Sequence, residues 1–249
     1  RRVGDGMTND QRGRVRVERG AKRVRAFLGG ELVVDTVRPL LVWEIPYYPA
    51  YYLPVDDVVA ELVPTGGTER SPDRGDAAVV DVRTPSQTAA GAGLLFEDGP
   101  VPDVAGHVRL DWDAMTAWFE EDEQVFTHPR SPYTRIDILP TSREVVVRLG
   151  EVELARSTRG HALFETGLPP RWYLPRTDVR MDLLVPSGTV SHCPYKGRAE
   201  HFSVRIGDDV VPDVAWSYPT PLPESVRIAG LVAFYDRRVE VTVDGERVG

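Results

Sequence analysis

An internal repeat constrains the fold of this chain more than any other feature. The segment "LGGELVVDTVRPLLVWEIPYYPAYYLPVDDVVAELVPTG" from Leu28 resembles "LGEVELARSTRGHALFETGLPPRWYLPRTDVRMDLLVPSG" from Leu149. After a one-residue gap, "SPDRGDAAVVDVR" from Ser71 aligns with "CPYKGRAEHFSVR" from Cys193. The matched positions include Glu44 with Glu165, Tyr52 with Tyr173, and Arg74 with Lys196. The sequence therefore predicts two tandem domains of about 120 residues each.

The boundaries follow from local composition. Residues 1–22 are rich in arginine and glycine and are expected to form a flexible tail. Two prolines in "THPRSPY" predict a linker over residues 126–135, between a first domain at 23–125 and a second at 136–249. Before the linker, "DWDAMTAWFEEDEQVF" places Met115, Trp118 and Phe119 at helical spacing, which predicts a short helix.

Composition limits the classes of partner. A net charge of −8 over 249 residues makes a nucleic-acid backbone an unfavourable partner. The single cysteine excludes an internal disulfide, and no metal site or cofactor is predicted from the ligand spacing. No apolar run approaches about 18 residues, and the first residues lack the apolar core of a signal peptide. We therefore expect no membrane partner and a cytoplasmic location, and the oligomeric state stays open.

Hydrophobic alternation predicts β-strands in both copies. In the second copy, Phe202, Val204 and Ile206 share one face, followed by a Gly-Asp-Asp turn. A further strand is expected to place Val179, Met181 and Leu183 on one face. Tight turns are expected at Gly150 and at Asp244-Gly245. The fold class predicted is mainly β: two tandem domains of bent antiparallel sheet with few short helices.

The stretch "SHCPYKG" contains a turn that both copies share. Proline fixes its own φ and favours an extended residue before it, so Cys193 to Lys196 fits a β-turn with Pro194 second. The first copy has the same proline, basic residue and glycine. Shared residues are interpreted as scaffold, and residues present in one copy only as site candidates. His192, Cys193 and Tyr195 belong to the second group.

A loop also distinguishes the second copy. When the two "VPDVA" segments are aligned, "WSYPTPLPESVRIA" over 216–229 has no counterpart in the first copy. Long proline-containing loops are often functional. We therefore expect the second domain to keep a site that the first, degenerate copy has lost.

The candidate site combines this turn and this loop. His192, Cys193 and Lys196 are candidates for proton or thiol chemistry, since nearby cations favour a thiolate. The expected ligand-binding residues are Tyr173, Tyr195, Trp216, Tyr218 and Arg227. His201 is, with His192, a candidate acid or base near neutral pH. The alternatives are a small buried thiol at Cys193, core packing for the aromatic residues, and a solvent-facing position for the two histidines.

Three segments carry a resemblance to a known family. "FETGLPPRWYLPRTDVRMDLLVPSGTVSHCPYKGRAEHFSVR", "VAWSYPTPLPESVRIAGLVAFYDRRVEV" and "DWDAMTAWFEEDEQVF" resemble the bacterial DUF427 family, which often occurs as a tandem pair. The resemblance implies a small domain similar to the β-tent folds, and no established reaction. The family has also been labelled a nucleotidyltransferase. The Asp-x-Asp at Asp111 and Asp113 is the sole candidate of that form for a metal pair, and no P-loop pattern occurs.

The function expected is binding or transformation of a small polar or anionic molecule in a pocket of the second domain. Whether the protein is an enzyme stays open. One alternative is a non-catalytic protein-interaction module, because aromatic residues and prolines on loops also suit a binding face. The other is a nucleotidyltransferase-like protein that binds nucleotides.

Overall fold

A computed structural model describes residues 15–98 and 101–248 of the chain. The chain divides into two compact units, Arg1–Ser131 and Pro132–Gly249, which we call the first and the second domain. The predicted tail falls largely on residues 1–14, outside the described residues. Residues 16–19 form a strand, so the tail prediction is wrong there. No helix in the described part of the chain is long and apolar enough to cross a bilayer.

Within the described residues, the first domain consists of two antiparallel sheets. One has seven strands in the order β1-β4-β5-β9-β8-β7-β6 and the other has four in the order β11-β10-β2-β3. The strands are β1 (Arg16–Arg19), β2 (Val24–Leu28), β3 (Glu31–Thr36), β4 (Leu40–Trp43), β5 (Ala50–Pro54), β6 (Glu61–Ser71), β7 (Gly75–Arg83), β8 (Thr88–Phe96), β9 (His107–Leu110), β10 (Ala117–Glu120) and β11 (Glu123–Val125). Short 3₁₀ helices occur at Val55–Asp57 and Pro102–Val104.

Over residues 132–248, the second domain consists of three antiparallel sheets. Their orders are β12-β15-β16, β14-β13-β21-β22 and β17-β18-β19-β20. The strands are β12 (Ile136–Thr141), β13 (Val145–Leu149), β14 (Val152–Ser157), β15 (Gly160–Glu165), β16 (Arg171–Tyr173), β17 (Leu184–Cys193), β18 (Gly197–Ile206), β19 (Asp209–Ser217), β20 (Val232–Phe234), β21 (Glu240–Val243) and β22 (Glu246–Arg247). The 3₁₀ helices are Arg176–Asp178 and Pro223–Ile228. The prediction of mainly-β domains with few short helices is confirmed.

Alternating side chains bury the core between these sheets. In the second domain, one cluster joins valines of β13 and β21 to Phe202 and Val204 of β18. Removing each such side chain from water stabilises the fold by about 1.5–3 kcal/mol. A second cluster consists of Leu163, Tyr173, Ala199, Trp216, Tyr218 and Ile228, with neighbours around them. This aromatic cluster includes Tyr173, Trp216 and Tyr218, which the sequence predicts to bind a ligand.

Local turn chemistry explains the hairpins. Asp244 and Gly245 have φ values of +52° and +82°, as the predicted two-residue hairpin turn requires. β18 and β19 are joined by the predicted Gly-Asp-Asp turn, because Ile206 pairs with Asp209. Both turn predictions are confirmed.

The predicted helix near residue 115 is wrong. Residues 117–120 form β10, which pairs with β2, and residues 123–125 return as β11. Trp118 stacks on Trp112 with ring centroids 4.8 Å apart and donates its Nε1 hydrogen to the Trp112 carbonyl at 3.0 Å. Cross-strand pairing of aromatic residues, which favour strands, prevails over the helical spacing in this segment.

The strand predicted around Val179 begins later than expected. A 3₁₀ helix ends at Asp178, the Leu183 amide donates to the Arg180 carbonyl at 3.0 Å, and β17 starts at Leu184. The Asp178 carboxylate accepts hydrogen bonds from Ser157 and Arg159, which stabilise this turn.

Candidate functional site

The hairpin turn of "SHCPYKG" joins β17 to β18. Cys193 pairs with Gly197, and residues 194–196 form the loop between them. Gly197 has a φ of +94°, which a residue with a side chain rarely adopts. In the first domain Ser71 pairs with Gly75, whose φ is +93°. The same turn is therefore built in both domains, and it presents a basic residue at the same place.

The turn packs against the segment that contains the last 3₁₀ helix. The Leu222 amide donates to the Lys196 carbonyl at 3.1 Å, and the Ser225 hydroxyl donates to the Tyr195 carbonyl at 3.3 Å. A Cβ atom at Gly197 would lie 3.5 Å from the Leu222 nitrogen. The turn and the loop are therefore in direct contact.

Lys196 of this turn forms an ion pair with Glu165 at the end of β15. Their side chains are only 11% and 9% exposed, so both charges are withdrawn from water. Beside them, Trp216 donates its Nε1 hydrogen to the Tyr173 hydroxyl oxygen at 3.2 Å. Burial raises the pKa of Tyr173 and of Tyr218, so both phenols keep their protons at neutral pH.

These groups surround a cavity of about 200 Å³, which we call the ion-pair cavity. Its lining combines the buried ion pair with aromatic and short polar side chains. The lining residues are Leu163, Glu165, Leu168, Pro169, Arg171, Tyr173, Ser191, Lys196, Trp216, Tyr218 and Tyr235. The cavity thus has ring faces for packing and a charged group for orientation, as small-molecule sites generally do.

A larger cavity of about 470 Å³ lies in the same domain and shares Pro169 and Arg171 with the first. Four valines, Trp172 and Phe234 form half of its lining, and two prolines and four charged residues form the rest. Arg171 donates to Asp236 at 2.5 Å at its edge. The ion-pair cavity is the better candidate for chemistry because its ion pair is buried, whereas the charged residues of the larger cavity are exposed or half-buried.

The structure brings together half of the predicted site residues. Lys196, Tyr173, Trp216 and Tyr218 line the ion-pair cavity. The partly buried thiol of Cys193 packs against the aromatic cluster beside it.

Three predicted residues lie elsewhere. His192 is exposed and points to the opposite side of β17 from Ser191 and Cys193. Arg227 donates to the Ile138 carbonyl at 3.0 Å, and neither it nor Tyr195 is among the residues that line the cavity.

Two polar residues outside the predicted set are part of the cavity wall or contact it: Glu165 lines the cavity, and His201 contacts Ser191, which lines it. His201 is 6% exposed, not solvent-facing as the alternation suggested, and its Nε2 lies 2.8 Å from the Ser191 hydroxyl. Burial lowers the pKa of His201, while the charge of Asp213 opposes this shift. Glu165 was missed, although its match to Glu44 in the repeat was the signal that could have identified it.

The first domain contains the same ion-pair cluster with a different composition. Arg74 donates to Glu44 at 3.0 Å and to the Tyr52 hydroxyl at 3.1 Å. Tyr52 itself donates to Glu44 at 2.9 Å, as does Arg109 from β9. A cavity of about 320 Å³ includes Glu44 and Arg109 in its lining. Residues that repeat between the copies therefore form a polar centre in each domain.

The loop thought to distinguish the second domain has a counterpart in the first, so that interpretation is wrong. In the first domain Leu94 pairs with Arg109, and in the second Trp216 pairs with Ala233. Trp216 therefore occupies the position of Leu94, and Ala233 that of Arg109. The Gly106 amide donates to the Phe96 carbonyl at 2.8 Å, and the Gly230 amide donates to the Tyr218 carbonyl at 2.9 Å. Residues 216–229 thus correspond to 94–105, and the two "VPDVA" segments occupy different elements.

Comparison with known families agrees with this duplicated architecture. A family model described as a domain of unknown function, DUF427, matches residues 16–121 and again residues 137–245. The two matches fall one in each domain and confirm the tandem resemblance. No curated protein matches the chain.

Proposed function

The chain belongs to the DUF427 family, and we propose that its second domain binds a small polar molecule in the ion-pair cavity. The observation that carries this proposal is the buried Lys196–Glu165 pair in the wall of an aromatic-lined cavity. Burying two charges is costly even when they are paired, and hydrophobic residues of similar volume would often be as stable. A binding role accounts for keeping the charges at this position.

The size and lining of the cavity indicate the class of ligand. Its volume of about 200 Å³ lies below the range of roughly 300–1,000 Å³ usual for drug-sized ligands, so the ligand is small. Tyr173, Trp216 and Tyr218 offer ring faces and protonated polar tips. Lys196 offers an ammonium with three donors, of which the bond to Glu165 uses one. A planar group with a carbonyl or carboxylate matches these features.

A thermal-shift screen of small carboxylates, amides, esters and phosphates tests the proposal, because a ligand that binds the native state raises Tm. The informative variant is Trp216→Leu with Ala233→Arg, which copies the residues at the same positions of the first domain, Leu94 and Arg109. This pair removes the Trp216 ring from the cavity wall and adds a cation like Arg109, which donates to Glu44 in the first domain, so it is expected to abolish any shift. A ligand that binds the double variant as tightly as the wild type contradicts the proposal.

A matched pair of variants checks the role of charge. Lys196→Arg keeps the ion pair and copies Arg74, so the fold should persist while ligand affinity changes. Arg198→Gln removes an exposed cation of the neighbouring strand that pairs with Glu200, and it should leave affinity unchanged. Equal effects of the two changes on affinity would argue against binding at the ion-pair cavity.

The alternative of a protein-interaction module is favoured by one observation. Leu168, at the mouth of the ion-pair cavity, is 55% exposed, and its counterpart in the repeat, Tyr47, is 67% exposed. Exposed apolar residues at matching places suit a partner surface. Leu168→Ser would weaken capture of such a partner, yet leave binding of small ligands largely intact.

Nucleotidyltransfer stays a further alternative. The Asp111 carboxylate accepts a hydrogen bond from the Asp113 amide at 3.1 Å, as in an ordinary turn. Within the described residues, no group of three or more His, Cys, Asp or Glu side chains is arranged to hold a metal ion. Nucleotides with and without Mg²⁺ in the same screen test this alternative.

A further inference from the structure

We propose that Ser191, His201 and Asp213 act as nucleophile, base and orienting carboxylate in acyl transfer from a small carboxylic ester. The inference rests on the proposed function, because the acyl group would occupy the ion-pair cavity that Ser191 lines. It adds a reaction and a substrate class to the proposed binding site.

The pairing of β17 and β18 sets the distance between the first two residues. Ser191 lies opposite Ala199, and His201 is two residues further along β18 on the same face. The two side chains are therefore diagonal neighbours, and the Ser191 hydroxyl lies 2.8 Å from the His201 Nε2 atom. This distance is within the range for proton transfer from a nucleophile to its base.

The surroundings of His201 suit a base. Its ring is stacked beside Tyr235, with centroids 6.1 Å apart and an angle of 12° between the planes. Burial lowers its pKa, so the imidazole is neutral at pH 7 and its Nε2 atom can accept the serine proton. The buried Nδ1 atom has no hydrogen-bond partner within the described part of the chain.

Asp213 supplies the complementary group. Its Oδ1 atom is also buried without a hydrogen-bond partner among the described residues, while Oδ2 accepts a bond from Thr189 at 3.1 Å. Hydrogen bonds from Ser187 and Thr189 lower the pKa of Asp213, so the carboxylate is charged at neutral pH, and attraction to His201 lowers this pKa further. The charge of Asp213 in turn raises the pKa of His201. The His201 Nδ1 and Asp213 Oδ1 atoms do not form a hydrogen bond with one another in this structure. An Nδ1 hydrogen directed to this carboxylate during the reaction would hold the tautomer in which Nε2 accepts from Ser191.

The backbone at Asp213 accommodates its side chain. Asp213 has a φ of +47°, in the region that favours glycine, at a bulge in the pairing of β18 with β19. The corresponding bulge of the first domain holds Gly91, whose φ is +62°. Asp adopts this region more readily than most residues with a side chain, so the bulge can hold a carboxylate where the first domain has glycine.

All three residues are specific to the second domain. The positions of Ser191, His201 and Asp213 correspond in strand register to Glu69, Val79 and Gly91. The first domain therefore keeps the ion-pair cluster but lacks the proposed nucleophile and base. This difference provides a control within the same chain.

The reaction balances without a cofactor. The Ser191 oxygen attacks the ester carbonyl carbon, and its proton passes to His201 Nε2. The bond to the alkoxide breaks as His201 returns the proton to the leaving oxygen, which leaves an acyl-serine and an alcohol. Water then cleaves the acyl-serine by the same route and releases the carboxylic acid. Lys196 and the Tyr173 hydroxyl, which accepts from Trp216 and keeps its own hydrogen, are placed to stabilise the oxyanion.

The test is hydrolysis of p-nitrophenyl acetate by the full chain, with mass spectrometry of the acylated protein and of protein treated with a fluorophosphonate. We expect label on the peptide that contains Ser191. Ser191→Ala and His201→Gln should each lower kcat/KM by about 10²–10⁴-fold. The exposed Ser142, at the turn before β13, provides the control Ser142→Ala, which should leave kcat/KM unchanged.

Asp213 requires a readout that a purely structural role would not change. Asp213→Gly fits the backbone but removes the carboxylate, so kcat/KM should fall while Tm is kept. The acid limb of the plot of kcat/KM against pH should also move to lower pH. Asp213 raises the pKa of His201, so removing its carboxylate lowers that pKa. An unshifted limb would remove Asp213 from the proposal.

The outcomes separate the two proposals. Label on Ser191 that disappears in the Ser191→Ala and His201→Gln variants supports acyl transfer. Hydrolysis that survives in Ser191→Ala, or label on another residue, overturns it. Absence of both label and hydrolysis, together with a thermal shift abolished by the Trp216→Leu and Ala233→Arg double variant, overturns acyl transfer and leaves the binding function intact.

Discussion

The two domains place a glutamate that is largely shielded from water at equivalent positions but neutralise it with different side chains. In the first domain, Glu44 is held by Arg74, Arg109 and Tyr52. In the second, Glu165 is paired with Lys196. Leu94 and Arg109 of the first domain stand where the second has Trp216 and Ala233. Leucine opposite arginine in the first domain is thus replaced by tryptophan opposite alanine in the second.

This exchange shows which part of the site is constrained. The acid, the tyrosine and a cation on the turn persist in both copies, since an unpaired buried carboxylate would be strongly destabilising. The residues on the two neighbouring strands vary, and they decide how the space beside the ion pair is shaped and which groups line it. Function can therefore differ between the copies while the ion-pair cluster remains.

Lys196→Met is expected to have the largest effect. It leaves Glu165 buried without its cation and should lower the free energy of unfolding by about 3–5 kcal/mol. Arg74→Met should cost less, because Arg109 still donates to Glu44. Urea denaturation measures both losses, and hydrogen exchange assigns each to its domain. Equal losses would show that Arg109 does not substitute for Arg74.

Trp216→Leu is expected to have the next largest effect. Removing a large buried ring costs about 2–4 kcal/mol, through lost burial and the space left behind. Adding Ala233→Arg should recover part of this loss, because the pair then copies the first domain. A double-mutant cycle should give a favourable coupling of about 0.5–3 kcal/mol. If the losses of unfolding free energy are additive, the arginine at position 233 does not occupy the space that the Trp216 ring leaves.

His201 should make the stability of the second domain depend on pH near neutrality. Its folded pKa lies below the unfolded value of about 6.5, so the unfolded chain binds the extra proton. Stability is therefore full above about pH 6.5 and falls as the pH decreases towards the folded pKa. His201→Val, which copies Val79, should remove this component from pH-dependent urea titrations. An identical pH profile in the variant would contradict the assignment.

The smallest effects are expected at a second duplicated pair, Asp57 with Arg38 and Asp178 with Arg159. Both arginines are exposed, so Asp57→Asn and Asp178→Asn should each cost about 1 kcal/mol or less. Hydrogen bonds from Arg159 and Ser157 lower the pKa of Asp178 to about 2. Its contribution is thus present above about pH 3.9 and is lost as the pH falls towards 2. If the two substitutions lower the free energy of unfolding by clearly different amounts at pH 7, the equivalent ion pairs do not stabilise the two domains equally.

Sequence alone determined the features that depend on neighbouring residues or on the repeat itself. Proline and glycine predicted the "SHCPYKG" turn, Asp244-Gly245 predicted a hairpin, and alternation predicted the β class. The family resemblance followed from the same segments. These predictions succeed because backbone preferences act over a few residues and because a repeated sequence must bury its core in the same way twice.

Tertiary structure alone decided which side chains meet. Glu165 and Lys196 are 31 positions apart, and only the packing of β15 against the turn shows that they pair. Ser191 and His201 meet because of the register of β17 and β18, since a shift of one residue would place them on opposite faces. The counterpart of Trp216 likewise became clear from strand pairing, because identical "VPDVA" segments lie in different elements. Contacts across a sheet depend on register, which neighbouring residues do not encode.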